Sequence, residues 1–182
     1  MLLLRLSYRV LFCAFLFSSI VHAQVNSFII DEAEKTISKN HQTLFNKARL
    51  SFENELYLEA LPNLDSLLKL YPDNVPVIYL AGICKSYDEE SKSKSVSLLL
   101  SIEKKKAQLE YFNYHMAFAY EKIDSTKLAD KYFANFITEE SSNPKPNKQL
   151  IEQATRRIQN LKMLNELKTK VPIVQIINIG LP

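Results

Sequence analysis

Apolar residues recur every three or four positions along most of this chain, a spacing that puts them on one face of a helix. Leu44 and Ala48 fall one turn apart; after a polar break come Ala60, Leu64 and Leu67. The same two-stroke pattern returns at Ala81 and Gly82, then Ser95, Leu99 and Ile102. It returns again at Ala117 and Tyr120, then Ala129, Phe133 and Phe136. From Lys148 to Lys170 a longer stripe runs through Leu150, Ala154, Ile158, Leu161 and Leu164, with Lys148, Glu152, Arg156, Lys162 and Glu166 on the other side. Asp31 predicts the cap of an earlier helix over residues 31–40. Pro72 ends the second stroke of the first pair, because it lacks an N–H and turns its predecessor away from helix. Residues 141–147, with two prolines, predict a loop. After Pro172 the pattern changes, and residues 173–180 predict a short strand rich in Ile and Val.

The start of the chain has its own pattern. Arg5 and Arg9 precede an apolar run over residues 10–21, and Val21 and Ala23 occupy the two small positions of a cleavage site. This predicts a secretory signal peptide over residues 1–23, cut before Gln24. The run is shorter than the roughly 20 residues needed to span a bilayer, and no cysteine follows the cut to carry a lipid. Cleavage removes Arg5 and Arg9 and no acid, taking the formal net charge from +3 to +1. A near-neutral chain has no electrostatic footprint for nucleic acid. Cys84 is then the one cysteine left, so no internal disulfide is expected and Cys84 is read as a packed apolar residue. Two glycines and no tryptophan fit helices joined by short connections, since tight turns and sheets draw on glycine.

The strokes repeat at a period of 34 residues, with one extra residue in the loop of the second pair. Small residues stand at 48 and 60, 82 and 95, and 117 and 129, where crossing helices need a close approach. With large apolar residues at 64, 99 and 133 and Pro72 at the end of the first unit, this resembles the tetratricopeptide (TPR) pattern. The expected fold is therefore all-α: about three TPR-type helix pairs over residues 41–140. A leader and helix over residues 24–40 precede them, a capping or linker helix over 148–170 follows, and a strand stub over 171–182 closes the chain. A lone strand needs partners for its hydrogen bonds. The order of parts, with Asn178 and Gly180 in the closing stretch, resembles secreted Bacteroidota proteins of the TPR, WD-like β-propeller and OmpA-like family, of the type associated with type IX secretion and gliding. That resemblance implies a periplasmic location and a chain truncated where the propeller begins. It also implies that peptidoglycan binding belongs to a domain outside these residues.

No catalytic constellation is readable. His22 leaves with the signal peptide, His41 is expected to cap or face solvent, and His115 to pack among aromatic neighbours. There is no His-Glu-x-x-His, no cysteine pair and no phosphate loop. The expectation is a non-enzyme with no cofactor and no metal. What remains is surface. In TPR arrays positions 2, 5, 9 and 12 of each repeat face a concave groove, which implies a partner-binding line of Phe45, Arg49, Phe52, Tyr79, Ile83, Tyr111, Tyr114 and Phe118. Aromatic groups in a groove anchor a peptide or a partner's helix. Phe45 and Tyr111 stand where a carboxylate clamp would need lysines, which argues against that partner class. The function implied is a periplasmic protein–protein interaction scaffold that binds envelope or secretion-system proteins. The alternative is a structural spacer for a propeller and an OmpA-like domain. The groove line is covered instead of open if the leader or the closing helix folds over it.

Overall fold

The computed structural model describes residues 27–170, and these are helical throughout, with short connections. The signal peptide, its cleavage site and the closing strand stub lie outside the described residues. Eight α-helices follow in order: α1 Ser27–Thr36, α2 Lys39–Glu53, α3 Tyr57–Leu70, α4 Val75–Ser86, α5 Lys92–Ser101, α6 Phe112–Lys122, α7 Thr126–Ser141 and α8 Lys148–Lys170. A 3-10 helix, Glu103–Gln108, links α5 to α6. Among the described residues no helix is long and apolar enough to cross a membrane.

Local chemistry accounts for two of the helix starts. Asn74 caps α4 by accepting the Val77 N–H at 3.0 Å, and Pro76 occupies the first turn, where its missing N–H costs nothing. Asn147 does the same for α8, accepting the Leu150 N–H at 3.1 Å. Two boundaries differ from the sequence expectation. Asp31 sits inside α1 and not at its cap, and α2 begins at Lys39, two residues ahead of His41. The residue ahead of α2 is Ser38, in extended backbone, and its hydroxyl lies 3.2 Å from His41 Nδ1. The turn after α2 and the turn after α6 each carry a left-handed residue, Glu55 (φ 61°) and Asp124 (φ 58°), at matching places.

Consecutive helices fold back on one another in pairs: α2 with α3, α4 with α5, α6 with α7. The second helix of each pair also packs on the first helix of the next, and α2, α4 and α6 touch in series. The pairs close on small residues. Ala48, Ala60, Ala117, Ala129 and Ser95 are fully buried, and Gly82 is buried with them. A methyl on Gly82 would stand 2.9 Å from Leu99 Cγ and 2.8 Å from its Cδ2. Ser95 uses the same proximity to donate its hydroxyl to the Gly82 carbonyl at 2.6 Å. Around these contacts Leu64, Leu67, Leu80, Leu99, Phe133 and Phe136 fill the core. Each such side chain contributes about 1.5–3 kcal/mol through burial.

α4 is enclosed on all sides, with every residue from Pro76 to Ser86 buried. That includes Lys85, whose ammonium meets Asp65 of α3 at 2.6 Å and so keeps a counter-charge. The two terminal helices complete the packing. α1 lies across α2 and α4 and buries Ile29 and Ala33. α8 packs on α7 through Ala154 and Leu161, but the stripe is not covered to its end: Leu164 is 50% exposed, beside exposed Met163 and Leu167.

Candidate interaction surface

The eight residues expected to line an open groove do not form one. Phe45, Tyr79, Ile83, Tyr114 and Phe118 are all buried, at 1–8% exposure. Covering elements explain this. α1 reaches the front of α2 and α4, where Gln42 Nε2 donates to the Glu34 and Ile37 carbonyls at 3.3 and 3.4 Å. Tyr79 is stacked against Phe112, with ring centroids 6.3 Å apart, and its hydroxyl donates to the Glu110 carbonyl. Tyr114 packs edge-on to Phe133 and Phe136, and its hydroxyl donates to Gln153 of α8 at 3.2 Å. Arg49 is engaged with Glu53 one turn along its own helix, at 2.6 Å. Tyr111 is half-buried in left-handed backbone (φ 55°), edge-on to Phe136. Five of the eight expected residues are thus buried against neighbouring parts of the chain, and Arg49, Phe52 and Tyr111 are half-buried.

A partly exposed aromatic ladder stands in its place, and it uses only two of the expected residues. Phe52, at the end of α2, meets the first residue of α3, Tyr57, edge-on at 5.5 Å. Tyr57 stacks on Tyr87 with centroids 4.1 Å apart and planes 17° from parallel. Tyr87, just past α4, meets Phe118 of α6 at 4.7 Å. The Arg157 guanidinium of α8 lies over the Phe118 ring at 4.7 Å and bonds Glu121 at 2.8 Å. Lys122 approaches the same ring at 5.1 Å. The ladder therefore crosses the whole array from α2 to α8. Tyr87 is its most open rung, at 38% exposure.

Burial raises the Tyr57 hydroxyl to about 12 and pushes Tyr87 up further, so both stay neutral at physiological pH. The surface offers apolar ring edges, neutral hydroxyls and a guanidinium already paired to a carboxylate. Cys84 is fully buried, and burial lifts its thiol to about 12, which keeps it out of thiolate chemistry. Among the described residues no group of three or more His, Cys, Asp or Glu side chains is placed to hold a metal ion. Sequence reasoning missed Tyr57, Tyr87 and Arg157. Tyr87 falls one residue past the last groove position of its repeat, so only its place at the end of α4 could have pointed to it. Arg157 belongs to the helix read as a cap, where a charged residue signals solvent.

No family model matches the chain, and neither a curated protein nor a solved structure matches it.

Proposed function

We propose that this chain is a non-catalytic scaffold of the bacterial periplasm, built as a TPR-type array, that holds envelope or secretion-system proteins against its aromatic ladder. The single observation behind the reading is the ladder itself: four rings and a guanidinium tied across four helices, with Tyr87 open to solvent. Support for a TPR-type array comes from buried small residues at 48, 82 and 117 and at 60, 95 and 129, which keep the 34-residue period. The N-terminal signal pattern supports export, and the resemblance to Bacteroidota envelope proteins supports an assembly of the secretion or gliding kind.

The experiment is site-directed photocrosslinking from Tyr87 in living cells, paired with affinity capture of Tyr87→Ala. The expected outcome is a discrete crosslinked partner, with capture by Tyr87→Ala reduced about fivefold or more, while Leu100→Ala behaves as wild type. Equal capture by Tyr87→Ala ends the proposal. A second reading, the spacer for a downstream propeller and OmpA-like domain, draws on the covering of the expected groove by α1 and α8. It predicts no crosslinked partner at Tyr87.

A further inference from the structure

The shortest ring contact of the ladder joins tyrosine to tyrosine. Tyr57 and Tyr87 stack with centroids 4.1 Å apart and planes 17° from parallel. That sets ring carbons of the pair at van der Waals contact, about 3.5–4.0 Å apart. Their hydroxyls are also neighbours, each acting on the ionisation of the other. With the phenolic ends together, the carbons beside each oxygen fall on facing sides of the stack. Tyr57 is half-buried, while Tyr87 is 38% exposed and opens the pair to solvent. Both residues stand at element ends, Tyr57 as the first of α3 and Tyr87 just past α4. Helix ends give more readily than helix interiors, so the rings have room to close from contact to a bond.

The surroundings confine any radical chemistry to this pair. Phe52 lies edge-on to Tyr57, and Phe118 is tilted against Tyr87. A phenyl ring has no phenolic proton to lose, so neither flank can couple. The Tyr114 hydroxyl is committed to Gln153 at 3.2 Å. A second tyrosine stack serves as an internal comparison. Tyr120 and Tyr132 are also stacked, but their centroids are 5.5 Å apart and their planes 26° from parallel. Both are buried, at 8% exposure, and the Tyr132 hydroxyl donates to Glu103 at 2.8 Å. That pair is wider and closed to an oxidant; Tyr57 and Tyr87 are tight and open to one.

We propose that Tyr57 and Tyr87 are a site of oxidative coupling, where a peroxidase-type oxidant forms a dityrosine that ties the start of α3 to the end of α4. The oxidant takes one electron from each phenol, and each hydroxyl releases its proton. The two phenoxyl radicals then join through a carbon–carbon bond between the positions beside their oxygens. The hydrogens on those carbons move to the oxygens and restore both phenols. One hydrogen peroxide takes up the two electrons and two protons and leaves as two waters. The bond closes the chain between residues 57 and 87, which restricts the unfolded state. The proposal goes beyond the docking reading: coupling needs no partner protein, so capture by Tyr87→Ala does not decide it.

The test is brief oxidation of the dilute purified protein with a heme peroxidase and hydrogen peroxide, followed by tryptic mapping of the monomer by mass spectrometry. The expected result is a joined pair of peptides carrying Tyr57 and Tyr87, lighter by two hydrogen atoms, together with dityrosine fluorescence. The coupled monomer should melt about 5–10 °C higher than the untreated one. Tyr57→Phe keeps the ring in the stack and removes its oxygen, and should lose the joined peptide and the rise in Tm. Tyr120→Phe should couple as wild type does. Coupling that survives Tyr57→Phe or falls with Tyr120→Phe overturns the site. So does the absence of the joined peptide, or a crosslink found only between separate molecules. A joined peptide with an unchanged Tm overturns the tie between the helices.

Discussion

Gly82 measures the closeness of the paired helices. Its missing side chain is what lets Leu99 lie where a Cβ would be, 2.8 Å from the nearest methyl carbon. Gly82→Val should therefore overpack the α4–α5 contact by about 2–3 kcal/mol. The expected fall in Tm is about 5–10 °C by circular dichroism, against no change for Ala107→Val on the exposed 3-10 helix. An unchanged Tm would mean that the helices are not in close contact there. Residues of this kind were legible in the sequence, because a small side chain at a fixed period in an apolar stripe marks the point where two helix backbones meet. Phe45 and Tyr79 were not. Periodicity tells which face of a helix is apolar, but not whether the element covering it is a partner or another helix of the same chain.

At the scale of helices, the α4–α6 contact rests on Tyr79, Phe112 and His115. His115 meets Tyr79 edge-on at 5.9 Å and Tyr114 at 5.6 Å. The residue is half-buried, and burial lowers its pKa from the ordinary 6.5 to about 4. The folded state thus prefers the neutral ring, while the unfolded chain takes up a proton near pH 6.5. Its contribution is complete above pH 6.5 and is lost as the pH falls from 6.5 to 4. Denaturant midpoints should drop across that window by about 1–2 kcal/mol more in the wild type than in His115→Gln, the partial exposure reducing the full linkage. Parallel curves for the two proteins would remove His115 as the cause. The helices themselves were readable from their stripes, and their order was as expected. The 3-10 helix Glu103–Gln108 was not, because its exposed "KKK" carries no apolar signal; its anchors, Ile102 and Leu109, flank it instead. The helix around Asp31 was misplaced for a related reason: an acidic residue signals a cap, but here Ile29 and Ala33 on either side of it drive the burial.

At the scale of the whole molecule, what could be read from sequence was a succession of paired helices. The closing of that succession by α1 and α8 could not, since neither end shares the period. Arg157 reaching Phe118 and Gln42 reaching the Glu34 carbonyl are contacts between a repeat and a flank. The enclosure of α4 has a further consequence for how the molecule comes apart. A helix surrounded on every side cannot lose its partners one at a time without its neighbours leaving first, whereas α1 and the far end of α8, with Met163 and Leu167 in solvent, have few partners to lose. Native-state deuterium exchange should find the amides of α4 slowest, with those of α1 and distal α8 faster by roughly a hundredfold or more. Uniform exchange would instead mark a single cooperative block. Fraying would then run inward from both ends, and because the rings of Phe52, Tyr57, Tyr87 and Phe118 join outer helices to the enclosed one, whatever docks on them would act as a splint against that fraying.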